Sequence, residues 1–175
     1  ATGAIAVTGA ENTVTLANNF TGTGAFSVTT ADASITVALG TSTTPASRTV
    51  NATAAADGKT ITLTGDKAVT VTSNDADINA EAYAGAITAT VTNTAAATFQ
   101  TGTAAAALTA NGGGALTIDA DAAAGNAGTL TINGAATGAI AVTGAENTVT
   151  LANTFTGNGA FSVTTADASI TVALG

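Results

Sequence analysis

The sequence predicts an all-β protein whose fold is a parallel β-solenoid of short strands. Three observations support this prediction: a long internal repeat, short stretches in which aliphatic residues alternate with threonine, and a shortage of bulky side chains. The same strand spacing also allows a tandem array of Ig-like β-sandwiches, which is the alternative architecture.

The internal repeat has a period of 135 residues. Residues 136–175 match residues 1–40 at 38 of 40 positions, and the two differences are Asn19 against Thr154 and Thr23 against Asn158. Self-similarity at a fixed period is typical of arrays whose units stack on one another. We therefore divide the chain into one full period, residues 1–135, and the start of the next, residues 136–175. We also expect both chain ends to be internal points of a longer polypeptide.

Strand-like stretches follow one another about every ten residues, which gives on the order of a dozen in each period. Their aliphatic side chains alternate with threonine, so one face of each strand is apolar and the other carries hydroxyl groups. Gly, Asn and Asp lie between these stretches and indicate turns, as at Gly65-Asp66 and Asn111-Gly112. The predicted strands cover residues 4–7, 13–16, 25–28, 34–39, 48–53, 60–64, 68–72, 86–92, 115–118 and 129–132.

Two alanine-rich stretches do not follow this pattern. Residues 103–108 and 121–124 have helical propensity, but each is too short to form a stable helix alone, because helix nucleation is costly. We predict loops or weak strands for both.

Side-chain size favours the solenoid over the sandwich. The chain has no Trp or Met, one Tyr and five Phe, so its apolar volume comes from Val, Ile, Leu and abundant Ala. Such side chains suit a thin core between closely spaced backbones. With rungs ~4.8 Å apart and ~20–30 residues in each rung, one period is expected to extend roughly 20–35 Å along the axis.

Charge excludes several classes of partner. The formal net charge is −8, and Arg48, Lys59 and Lys67 are the only cations. Nucleic acids and anionic membrane surfaces are bound by clustered Lys and Arg, so neither is an expected partner. No apolar run approaches the ~18 residues of a spanning helix, so membrane insertion is not expected. Residues 82–118 contain no charge, and we expect part of this stretch to pack against another subunit.

The sequence also offers little for catalysis. It contains no His and no Cys, so the usual activated Ser and Cys nucleophiles cannot be built. A pair of carboxylates could hydrolyse a glycoside, but Tyr83 is the only polar aromatic residue that could form part of a sugar platform. We predict that the protein is not an enzyme.

Threonine pairs of the form Thr-x-Thr recur in the predicted strands. They begin at irregular intervals, for example at Thr60, Thr70, Thr88 and Thr129. This irregularity favours cross-strand threonine ladders over a regularly spaced ice-binding array.

Calcium is the one cofactor for which the sequence offers candidate ligands. The segment 74–81 places oxygen-bearing side chains at alternate positions, as Ca²⁺ sites require, and a weaker second candidate follows the strand at 115–118. Neither is an EF-hand, and both also suit polar turns that keep a neutral surface soluble. The candidate ligands are Asp75, Asp77, Asn79 and Glu81 in the first site and Asp119 and Asp121 in the second.

Residues 12–30 pair a Thr-rich strand with an Asn-, Phe-, Thr- and Gly-containing turn and a second strand. This arrangement resembles the repeats of β-helical autotransporter passengers. The Cys-free, acidic texture, rich in Ala, Thr and Gly, also resembles RTX-type S-layer proteins and giant adhesins, although their glycine–aspartate nonapeptide is absent. The resemblance implies a repetitive protein of the bacterial cell surface.

The expected function is structural. We expect an extracellular, self-associating repeat protein that forms a cell-surface fibre, S-layer or sheath. The alternative is the stalk of a large bacterial adhesin, stabilised by calcium, whose ligand-binding modules lie elsewhere.

Overall fold

The computed structural model describes residues 2–120, 129–145, 148–165 and 171–174, and these residues form a parallel β-solenoid. The chain alternates between two sheets, so each turn contributes one strand to each sheet. The odd-numbered strands form the nine-stranded sheet A, and the even-numbered strands form the eight-stranded sheet B. The described residues contain no helix, and hence none long and apolar enough to cross a membrane.

The strands are short and similar in length. Sheet A consists of β1 (Ile5–Ala10), β3 (Phe26–Thr30), β5 (Arg48–Ala52), β7 (Val69–Ser73), β9 (Ile87–Val91), β11 (Ala106–Ala110), β13 (Leu130–Gly134), β15 (Thr148–Leu151) and β17 (Thr171–Leu174). Sheet B consists of β2 (Val14–Thr15), β4 (Ile35–Ala38), β6 (Thr60–Thr64), β8 (Asp77–Asn79), β10 (Ala97–Gln100), β12 (Leu116–Asp119), β14 (Ile140–Ala145) and β16 (Phe161–Thr165).

The inner faces of the two sheets enclose one thin core of Val, Ile, Leu and Ala. In sheet A, Val28, Val50 and Val71 are paired in register on three successive rungs, and all three are fully buried. In sheet B, Ile61 pairs with Ile78 in the same way. Since every strand pairing is parallel, the solenoid prediction is confirmed and the antiparallel sandwich is wrong.

All ten predicted strands are present, with small shifts at their ends, but three strands of the first period were not predicted. These are β8, which carries acidic and amide residues, β10, which ends in Gln100, and β11, which is rich in alanine. Residues 103–108, predicted as a loop or weak strand, include the start of β11, where Ala106 and Leu108 are buried in register between β9 and β13. Residues 121–124 lie outside the described residues.

One sequence period does not correspond to a whole number of turns. The described residues up to position 135 contain thirteen strands, β1 to β13, and two strands make a turn, so a period takes six and a half turns. Dividing 135 residues by six and a half gives about 21 residues per turn. At ~4.8 Å per turn, each period adds ~31 Å to the solenoid, within the expected range.

Because thirteen is an odd number, equivalent strands of successive periods lie in opposite sheets. β1 is in sheet A, whereas its copy β14 is in sheet B, and β2, β3 and β4 exchange sheets with β15, β16 and β17 in the same way. The pairing is preserved: Ile5 is opposite Phe26 in one copy, and Ile140 is opposite Phe161 in the other. Successive periods are therefore related by a half-turn about the solenoid axis combined with a translation along it.

Glycine permits close stacking where the chain enters sheet B. A Cβ atom on Gly114 would lie 1.9 Å from the carbonyl oxygen of Ala95, one turn earlier. Gly138 would meet the carbonyl oxygen of Gly114 at 2.0 Å, and Gly159 would meet that of Gly138 at 1.9 Å. These glycines form a column along one edge of the solenoid that no larger residue can occupy without moving the rungs apart.

We predict that Gly114→Ala destabilises the protein by about 1–3 kcal/mol, because the added methyl group overlaps the backbone of the preceding turn. Gly113→Ala is a matched control at the adjacent position, where the nearest neighbour of a Cβ atom is Thr137 Oγ1 at 3.5 Å. Urea unfolding followed by circular dichroism measures both variants. Equal unfolding midpoints for the two variants would contradict the close stacking.

Candidate functional site: the outer faces and the acidic turn

The outer side of sheet A from β3 to β13 is an uncharged array, which we name the threonine face. Strand pairing arranges it in two rows along the axis, with residues of successive rungs ~4.8 Å apart. Thr70 is opposite Thr88 in one row, and Thr72 is opposite Thr90 in the other. The face consists of Ser27, Thr29, Thr49, Asn51, Thr70, Thr72, Thr88, Thr90, Ala107, Thr109, Thr131 and Asn133.

The register of this face confirms the predicted cross-strand ladders, but it also shows that the irregular intervals in the sequence were misleading. The turn between β7 and β8 has three residues, 74–76, whereas that between β5 and β6 has seven, 53–59. Turn length changes the interval along the chain without changing the position of a strand in the sheet. The surface is therefore more regular than the spacing in the sequence suggests.

The outer side of sheet B from β4 to β14 differs in charge, and we name it the mixed face. It carries the carboxylates of Asp77 and Asp119 among threonines and amides. Asn79, Gln100 and Asp119 form one row in register across three rungs. The full set is Thr36, Ala38, Thr60, Thr62, Thr64, Asp77, Asn79, Thr98, Gln100, Thr117, Asp119, Ala141 and Thr143.

Asp75 and Asp77, two of the candidate calcium ligands, accept hydrogen bonds from the backbone of the next turn. Asp75 Oδ1 accepts from the N–H groups of Thr94, at 2.6 Å, and Ala95, at 2.9 Å. Asp77 Oδ1 accepts from the N–H group of Thr98 at 2.6 Å. The two carboxylates therefore satisfy backbone donors that the parallel ladder leaves open at the start of a turn or strand.

The other candidate ligands are spread over several turns. Asn79 Oδ1 accepts a hydrogen bond from the N–H group of Glu81 at 3.1 Å, and the Glu81 side chain is exposed. Asp119 lies two rungs from Asn79 on the mixed face, and Asp121 lies outside the described residues. In the part of the chain that the structure describes, no three acidic, His or Cys side chains are grouped so that they could hold a metal ion. Calcium binding stays a prediction, which the melting temperature with and without a chelator would test.

The hydrogen bonds also determine the acidity of Asp75. Donation from the Ala95 N–H group, and then from the Thr94 N–H group, lowers the pKa of Asp75 below its usual value of 3.8. Desolvation acts in the opposite direction but is the smaller effect. The ionised carboxylate is therefore the form that braces the turn.

A buried polar group was not anticipated from the sequence. Arg48 lies on the inner, otherwise apolar side of β5, where its Nη2 donates to the carbonyl oxygens of Ser42 and Thr44. Tyr83 is also fully buried, and its hydroxyl donates to the carbonyl oxygen of Lys67. Burial raises the pKa of Tyr83 to about 12 despite the opposing charge of Arg48, so its hydroxyl stays protonated as a donor. Both side chains anchor turns. The sequence does contain a sign that Arg48 is buried, because Arg48 occupies a position of β5 that the alternation assigns to the apolar face.

The surface also carries a groove of about 530 Å³ along one edge of the first turns. Its lining has no charged and no aromatic side chain, so the polar groups that it offers a ligand are backbone groups, hydroxyls and side-chain amides. The lining residues are Thr15, Leu16, Ala17, Asn18, Asn19, Ala38, Gly40, Thr41, Thr64 and Gly65.

Comparisons with known proteins add no family. No known protein family, characterised protein or solved structure matches the chain significantly. The solenoid is therefore established by the structure of this chain, and its resemblance to autotransporter passengers or RTX proteins stays a prediction.

We predict that Asp75→Ala lowers the free energy of unfolding by about 1–2 kcal/mol at neutral pH, because two backbone donors lose their acceptor. The pKa of Asp75 is lower in the folded state, so its contribution is present above the usual pKa and is lost as the pH falls through the folded-state value. The difference between wild type and variant should therefore shrink in acid. Asp57→Ala, in the exposed turn between β5 and β6, is the control. A difference that is independent of pH would contradict the role of the carboxylate.

Proposed function

We propose that this chain is part of an extracellular structural protein of the bacterial surface, in which the solenoid continues from one period into the next to form a fibre, S-layer or sheath. The observation that carries the proposal is a comparison of identical strands. The structure contains each strand of the repeated segment twice, and the two copies have different neighbours.

At the start of the chain, β1 has no strand before it in sheet A. Ile5 and Val7 are partly exposed, whereas their copies in β14, Ile140 and Val142, are only 2% and 0% exposed, because β12 covers β14. The apolar positions of β1 are thus suited to a preceding strand like β12 in the same register.

The apolar side chains of the last strand, β17, are even more exposed than those of β1. Val37 and Leu39, in and just after β4, are fully buried beside β6, whereas their copies Val172 and Leu174 on β17 are 41% and 69% exposed. Fully burying such a side chain contributes about 1.5–3 kcal/mol. A further copy of β5 and β6 would cover β16 and β17 with the pairing already seen for β3 and β4, so the solenoid can extend without a new kind of contact.

The chemistry of the chain supports a structural role. A sequence without His or Cys and with few aromatic residues lacks the groups from which most catalytic sites are built. Its low charge, regular strands and varied turns suit a long surface assembly instead. We therefore propose that the protein is not an enzyme and that copies of the repeat are its main partners.

Electron microscopy of native material and of recombinant chains with one, two and three periods tests this function. We expect continuous rods that lengthen by ~31 Å for each added period. Separate globular beads joined by linkers would overturn the proposal. A regular polymer or lattice in native material supports a fibre or S-layer, whereas isolated flexible rods would assign the array to an adhesin stalk.

Immunogold labelling of intact cells tests the location. Labelling of the outer surface without permeabilisation is the expected result. Labelling that requires permeabilised cells would contradict an extracellular role.

A further inference from the structure

We propose that neighbouring arrays bind side by side and in register, with the threonine face of one array against the mixed face of the next copy. This inference rests on the proposed function, because it concerns how continuous arrays assemble into a layer. It follows from the half-turn between periods, the charge of the two faces and the area that they offer.

The half-turn determines what each side of an array displays. Where one side shows the threonine face of a period, the other side shows the mixed face of the same period, and the next period reverses the two. Each side therefore alternates between the two faces every ~31 Å. A neighbour related by a simple sideways translation then meets a threonine face with a mixed face at every period.

Charge favours this arrangement over the alternative. If the neighbour were shifted along the axis by one period, threonine faces would meet each other and mixed faces would meet each other. The second contact would bring together two faces that each carry Asp77 and Asp119, and like charges across an interface disfavour association. When the neighbour is related by a sideways translation, the hydroxyl donors of the threonine face lie opposite the carboxylate and amide acceptors of the mixed face, and no two mixed faces meet.

The position of Asp77 indicates where this contact is most sensitive to an added charge. The chain passes from β7 to β8 and then to β9, so Asp77 lies at an axial level between the rungs of Thr72 and Thr90. Thr72 and Asp77 also lie near the same edge of the solenoid, because only the turn 74–76 and Ser73 separate them. In a translated neighbour, Thr72 and Thr90 therefore flank Asp77 from the opposite side of the interface.

The area of the contact determines how many periods are needed for stable lateral association. A face about five residues wide and six rungs long covers roughly 500 Å², so a single period would bury roughly 1,000 Å² in total, counting both partners. Stable interfaces bury about 1,200–2,000 Å². One period is therefore expected to associate weakly, and linked periods are expected to associate much more tightly, because each contact raises the effective concentration of the next.

The test compares opposite charges at the same positions in a chain of three periods. Thr72→Glu with Thr90→Glu in each period adds acid opposite Asp77 and is expected to weaken lateral association at least tenfold. Thr72→Lys with Thr90→Lys adds a comparably long side chain of opposite charge and is expected to retain or strengthen association, with greater sensitivity to salt. Sedimentation velocity and electron microscopy measure association, and thermal unfolding at low concentration checks that both variants fold.

Loss of association in both the Glu and the Lys variants would overturn the proposal, because it would indicate that threonine faces pack on each other. Continuous single rods without layers at any concentration would also overturn it while leaving the proposed fibre intact. Inhibition of ice recrystallisation by rods that do not associate would overturn it as well, and would assign the threonine face to ice. Beads in place of rods would instead mean that the proposed function itself is wrong.

Discussion

The pairing of each strand with the strand one turn later is the interaction on which the rest of this structure depends. It provides the backbone hydrogen bonds and also closes the core, because each rung covers the apolar side chains of the one before. Polar turn residues extend the same interaction beyond the strands. Asn18 Oδ1 accepts from Thr41 N–H at 3.0 Å, and Asp32 Oδ1 accepts from Ala56 N–H at 3.1 Å, as Asp75 does further along. In each case a side chain of one turn braces the backbone of the next.

The requirement to pair with the strand one turn later restricts the sequence of strands much more strictly than that of turns. The two differences between the repeat copies lie in the turn between β2 and β3 and in the equivalent turn between β15 and β16. At one of these positions, the hydroxyl of Thr154 donates to Asn133 Oδ1, on the preceding strand of sheet A, at 2.9 Å. Turns can change sequence and length because only their ends are fixed by the sheets.

The sequence predicted the fold class and most of the strands, since alternation of aliphatic residues and threonine is a direct record of which side chains face the core. It missed β8 and β10 because Asp77, Asn79 and Gln100 obscure the alternation. With β11, which the sequence predicts only as a loop or weak strand, three strands are missing from the predicted set. The remaining ten would make five whole turns and would place equivalent strands in the same sheet, whereas thirteen place them in opposite sheets. The roles of Asp75 and Asp77 were also beyond the sequence, because their amide partners lie 19 to 21 residues later and the same spacing suits a calcium loop.

Whether a period has an odd or an even number of strands therefore depends on the whole period and not on any single residue. With an even number of strands, every period would place its mixed face on the same side. A long array would then have one neutral side, made of threonine faces, and one acidic side, made of mixed faces. In the proposed array, periods of thirteen strands would share charge equally between both sides, and a mixed face on one side would be followed on that side by a threonine face. An array of this kind has no preferred side, which suits growth into a layer in which each member has a neighbour on both sides.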